Sequence, residues 1–150
     1  MFAGSYSLAV DEKGRIAIPA RYRQELGDEG GTQLVVTMGR KPCLEIYKAD
    51  HFQVIAKEIQ ELEDRRAADI LRERFIGLAH DVEADRQGRM VLPPMLRKRA
   101  RLNGSAVMMG QIRYLTVWSE EEWTRLFGDS AEQAADAALL EDALSLLKQR

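Results

Sequence analysis

The pentapeptide "DEKGR" at residues 11 to 15 returns as "DRQGR" at residues 85 to 89, and this duplication constrains the chain more than any other feature. At a shift of 74 residues, Asp11, Gly14, Arg15, Pro19 and Arg23 coincide with Asp85, Gly88, Arg89, Pro93 and Arg97. The apolar alternation matches as well: Ile16 and Ile18 align with Met90 and Leu92, and Tyr22 with Leu96. Beyond a loop three residues shorter in the second copy, the shift becomes 71 and pairs Leu44 with Leu115 and Phe52 with Trp123. Self-similarity of this kind predicts one supersecondary unit used twice.

Local chemistry predicts what the unit is. "SYSLAV" places Tyr6, Leu8 and Val10 on one face, the period of a half-buried strand. Asp11 and Asp85 are favoured first residues of a type I turn, and Gly14 and Gly88 can take the left-handed conformation that a following bulge requires. D-x-x-G therefore closes a hairpin. Arg15 opens the returning strand "RIAI"; with Ile16 and Ile18 toward the core, Arg15 and Ala17 face away, and Arg89 does the same beside Met90 and Leu92. Pro19 starts a short helix, "PARYRQEL", stopped by Gly27, and the second copy stops its helix at "NG", residues 103 to 104. Two further strands follow in each copy, "QLVVTM" and "CLEIY", then "SAVMMG" and "YLTVW". The expected fold class is α+β, mainly β, with a first unit at residues 1–50, connecting helices at 51–76, a second unit at 77–119 and C-terminal helices at 120–150. The connection reads as roughly 28 helical residues through "FIG" at 75 to 77, and a final helix follows "SAEQ" at 130 to 133.

Charge is segregated although the formal net charge is only -2. Residues 85 to 101 carry five Arg and one Lys against one Asp, while residues 119 to 150 carry eight acids against three bases. A phosphate backbone responds to such a local field rather than to the net charge. The lone Cys43 has no partner for an internal disulfide and, with only His51 and His80, supplies no zinc-ligand spacing. No phosphate loop and no nucleophile with its base is evident, so neither an enzyme nor a cofactor is expected. The absence of a long apolar run and of a secretory leader predicts a cytoplasmic protein without a membrane segment.

Two D-x-x-G-R units, with "DEKGRIAIPARYR" near the start and "DRQGRMVLPP" in the second half, resemble the MraZ family of bacterial transcription regulators. That family's units are similar to the swapped-hairpin DNA-binding domain of the AbrB group. The resemblance implies a pseudo-dimer of two β-β-α-β-β units that interlace their hairpins within one chain. It also implies assembly as a homo-oligomeric closed ring. The partner it implies is double-stranded DNA, at short direct repeats in the promoter of the division and cell-wall gene cluster, with repression as the main outcome. Arg15 is the residue it ties most closely to DNA. On the residues themselves, Arg15 and Arg89 read either as strand-end groups tied to Asp11 and Asp85 or as forks for guanine edges or phosphate. Lys13, Arg21 and Arg23 add candidate phosphate contacts, as does Arg86, which replaces Glu12. Charge favours the second unit on DNA, and the resemblance favours the first. A competing reading is an interaction module of antitoxin type, which grips its partner through a flexible tail.

Overall fold

The computed structural model describes residues 1–27, 31–39, 42–128 and 133–150, the last segment by backbone alone up to 135. The chain divides into a body at Met1–Ser119 and a smaller one at Glu120–Arg150. In the first body the elements run β1 (Ser5–Val10), β2 (Arg15–Ala17), α1 (Ala20–Leu26), β3 (Thr32–Met38), β4 (Leu44–Lys48), α2 (Ala49–Glu61) and α3 (Arg65–Leu71). A π-helical turn at Arg72–Ile76 leads to β5 (His80–Ala84), β6 (Arg89–Val91), α4 (Pro94–Arg99), β7 (Gly104–Gly110) and β8 (Leu115–Ser119). The second body contains α5 (Glu120–Phe127) and α6 (Gln133–Leu144).

The fold is α+β around a six-stranded antiparallel sheet in the order β1-β7-β8-β4-β3-β5, accompanied by a two-stranded sheet of β2 and β6. Exchanging each strand for its counterpart in the other repeat reproduces that order backwards. The two copies are thus related by a pseudo-two-fold, with β4 against β8 at the centre and β2 against β6 beside it. They are also interlaced. β1 lies along β7 of the second copy, from Ser5 opposite Met109 to Val10 opposite Gly104, while β5 lies along β3 of the first.

The expected hairpin is corrected by this arrangement. The D-x-x-G turn does reverse the chain, and Asp11 N–H donates to the Arg15 carbonyl at 3.1 Å, but β1 and β2 then part to different partners. The reason is layering. Leu8 and Val10 belong to the large sheet, whereas Ile16, Ile18, Met90 and Leu92 come from a ribbon laid over it, and all of them meet in one core with Tyr22, Leu34, Val36, Leu96 and Met108. Full burial of each such side chain stabilises by about 1.5–3 kcal/mol, so the alternation of the motif strands dictates which side of the ribbon turns inward. Tyr22 further ties α1 to the N-terminal segment, its hydroxyl donating to the Gly4 carbonyl and its ring meeting Phe2 and Tyr6 edge-on.

Two other expectations change. The connecting helix is broken between Glu61 and Arg65, because Leu62 is extended and the Asp64 carboxylate accepts from Ala67 N–H at 3.0 Å, restarting the helix as an N-cap. The helix of the second copy ends before "NG": Leu102 N–H donates to the Arg97 carbonyl and Arg101 N–H to the Lys98 carbonyl, with Arg101 itself at φ 55°. That is a Schellman closure with arginine in the left-handed position usually held by glycine. In the first copy Gly27, at φ 97°, caps α1 as expected. Cys43 is buried, as a small apolar residue would be.

In the second body, α5 is braced by an Arg125–Glu122 ion pair at 2.7 Å and by Trp123 against Phe127. α6 begins, within the described residues, at Gln133, and the "SA" and "E" of its expected start lie outside them. Leu139, Leu140, Leu146 and Leu147 are exposed. Among the described residues no helix is long and apolar enough to cross a membrane.

Candidate nucleic-acid interface

Each D-x-x-G-R turn is held by its aspartate in the same way. Asp11 Oδ1 accepts the N–H groups of Lys13 and Arg15, both at 2.9 Å, and Oδ2 accepts Arg15 Nε at 2.6 Å. Asp85 repeats this on Gln87 and Arg89, with Arg89 Nε at 2.8 Å. The glycine completes the turn at positive φ, 79° at Gly14 and 76° at Gly88, a region an L side chain enters only with strain. The Arg15 backbone N–H, followed by its guanidinium, holds the Asp11 carboxyl below its usual range, and Arg89 does the same to Asp85.

A carboxylate whose pKa is lower folded than unfolded stabilises the fold above the unfolded value, about 3.9, and loses that contribution as pH falls through the lowered one. Stability measured by denaturation from pH 7 to pH 2 is therefore expected to decline below pH of about 4. A double Asp11→Asn, Asp85→Asn variant should start less stable and decline less over the same range. Parallel acid limbs in the two proteins would contradict the assigned role of the turns.

Between the turns lies the ribbon. In β2 and β6, Arg15 stands opposite Val91, Ile16 opposite Met90 and Ala17 opposite Arg89. Ile16 and Met90 are each 3% exposed, so the side chains of Arg15, Ala17, Arg89 and Val91 occupy the outward face. Both arginines thus project from one small platform, seated on the core. They border an open groove of about 670 Å³ whose walls include Ala9, Asp11, Glu83 and Asp85. Apart from Nε, the Arg15 guanidinium makes no hydrogen bond within the described residues, whereas Arg89 Nη2 also reaches Gln87 Oε1 at 3.4 Å.

The remaining candidates surround this platform. Lys13 and Arg86 are exposed in the loops of the two turns and Arg21 is exposed on α1, but Arg23 is half-buried and its Nη1 donates to the Gln87 carbonyl at 2.6 Å. Arg23 thus reaches across to the turn of the other repeat. Its counterpart Arg97, absent from the sequence-based set of site residues, does the same: Nη1 donates to the Glu12 carbonyl at 3.2 Å and Nη2 to the Asp11 carbonyl at 3.3 Å. Two backbone bonds run in parallel with these clamps, from Ile18 N–H to Gly88 and from Leu92 N–H to Gly14, both at 2.8 Å. The sequence signal for this was the identity of Arg23 and Arg97 in the repeat register.

Comparison with known proteins yields a consistent set of relatives. A family profile described as "MraZ protein, putative antitoxin-like" matches residues 1–73 and again 75–143. The chain is 39% identical over 134 residues to a protein of Shewanella sediminis (strain HAW-EB3) named "Transcriptional regulator MraZ", covering 88% of each. It is 36% identical to the protein of that name from Pseudomonas fluorescens (strain Pf0-1), over 94% of this chain and 91% of the other. The one from Legionella pneumophila (strain Corby) is 42% identical over 82% of each.

Proposed function

The chain belongs to the MraZ family, and from that premise we propose that it is a transcription regulator, not an enzyme, which binds double-stranded DNA through the β2–β6 ribbon. One observation carries the reading: Arg15 and Arg89 share the outward face of a two-stranded ribbon whose inward side chains are buried. A major groove accommodates such a ribbon, and an arginine fork matches the O6 and N7 acceptors of guanine. Arg15 and Arg89 are the groups at the bases or phosphates. Lys13, Arg21 and Arg86 contact phosphate, as does Arg23 through the N–H groups not engaged by Gln87, and these contacts set position rather than sequence.

The first repeat carries the larger share. At matched positions it has Lys13, Ala9 and Arg21 where the second has Gln87, Glu83 and Met95, and its Arg15 is less engaged by neighbouring side chains than Arg89. Against this stand Arg86 in place of Glu12 and the exposed Lys98, Arg99 and Arg101. We propose further that the sites are direct repeats in the promoter of the division and cell-wall gene cluster, that the outcome is mainly repression, and that the chains form a homo-oligomeric closed ring on the cytoplasmic nucleoid. Several modest contacts on repeated sites then gain affinity through effective concentration.

A gel shift on the region upstream of the protein's own gene, competed with unrelated DNA, tests this. If the six basic residues engage phosphate, affinity should fall by roughly three orders of magnitude between 50 and 200 mM salt. The exposed leucines of the second body, at 139, 140, 146 and 147, favour one alternative, an antitoxin-type interaction module. A complex indifferent to salt, with no shift of the upstream fragment, would select it.

A further inference from the structure

Building on the DNA-binding reading, the geometry points to Arg97 as a positioning residue that fixes the direction of Arg15 from the opposite repeat. Arg97 is half-buried on α4, and its fork spans three carbonyls. Nε donates to Leu102 at 3.0 Å, which anchors the guanidinium to the end of its own helix. Nη1 and Nη2 donate to Glu12 and Asp11, the first two residues of the turn that carries Lys13 and Arg15. Its stem packs on Gly14 so closely that an added Cβ there would stand 3.2 Å from Arg97 Cδ. Asp11 in turn holds Arg15 Nε. The chain of contact runs from α4 through Arg97 to the backbone of Asp11, through its carboxylate, and to the guanidinium that faces DNA.

The pseudo-symmetric partner packs its stem on Gly88 at least as closely but makes fewer hydrogen bonds to the turn. Arg23 has one such hydrogen bond, to the Gln87 carbonyl. Beside one backbone bond to each turn, the first turn therefore receives two arginine hydrogen bonds from the opposite repeat and the second receives one, so the added restraint is greater where Arg15 stands. A lysine keeps the charge of Arg97 but has no planar fork, so it separates positioning from simple attraction to phosphate.

The test uses the full-length protein, with Arg97→Lys and Arg97→Gln made in parallel. Exchange of the Arg15 Nε proton, followed by NMR, should accelerate by about tenfold in both, because its acceptor is no longer fixed, while that of Arg89 stays within about twofold. Affinity of both variants for the upstream fragment should fall by about tenfold with an unchanged salt slope. Wild-type affinity in Arg97→Lys, or a reduced salt slope, overturns the proposal in favour of a charge contact. Unchanged Arg15 exchange overturns it as well, and so does the unfolding of both variants, since a residue needed by the whole fold is not a device for one turn. If the wild type itself fails to bind the fragment, the regulator reading falls, and the exchange measurement alone decides whether Arg97 sets the turn.

Discussion

Arg15→Ala is expected to lower affinity for the upstream fragment by about thirtyfold or more while leaving assembly and melting temperature nearly unchanged. A good bidentate arginine–guanine contact discriminates by about 1–3 kcal/mol, and about 1.4 kcal/mol is a factor of ten. Under the proposed assembly, copies of the chain engaging successive repeats would compound the loss. The turn itself should survive, because the Asp11 carboxylate still accepts the backbone N–H groups of residues 13 and 15. Arg89→Ala should weaken binding less, since Gln87 already shares that guanidinium. Fragment titration, light scattering and thermal melting measure the three properties in turn. Full affinity in an intact Arg15→Ala assembly would refute the role given to the ribbon.

The second large effect concerns the turn glycines, which are not equivalent. A Cβ added at Gly88 would stand 2.8 Å from the Ile18 carbonyl oxygen and 2.8 Å from Arg23 Cδ, at φ 76°. The Arg23 side chain can shift, but the Ile18 carbonyl accepts no such retreat without moving the ribbon. At Gly14 the nearest atoms are all of the Arg97 side chain, at 3.2 Å and beyond. Left-handed backbone costs a non-glycine residue about 1–2 kcal/mol, and the backbone clash adds to that at Gly88 alone. Gly88→Ala should therefore destabilise by about 3 kcal/mol and Gly14→Ala by about 1–2 kcal/mol, read from chemical denaturation midpoints. Equal losses would mean that the crossing of the two turns is not as tight as described.

These variants probe features that the sequence reveals to different depths. The strands, the short helices and the outward direction of Arg15 follow from turn chemistry and a period of two, both of which are local. The pairing of β1 with β7 and of β5 with β3 is not local. Asp11 and Gly14 say where the chain reverses but not which strand will lie alongside, because that depends on apolar faces contributed by the other half. The break before Arg65 is hard to read locally because apolar spacing through Leu62 outweighs a single capping aspartate. The end of α4 is likewise masked, because Gly104 has the chemistry of a helix stop whereas Arg101 takes the left-handed position. Arg97 is legible as an identity in the repeat but not as a clamp, since its acceptors are backbone carbonyls, which carry no side-chain signature.

The interlacing also bears on how such a chain can change over time. In a symmetric homodimer of single units, any substitution at a turn would appear twice, so contact and support could not be optimised separately. Joining the halves covalently releases that constraint. Lys13 and Gln87 occupy matched positions with different chemistry, and Arg97 bonds three carbonyls where Arg23 bonds one. One polypeptide can thus keep the geometry of a dimer while its two halves carry different side chains at matched positions, which under the proposed function leaves the first free to read and the second to brace.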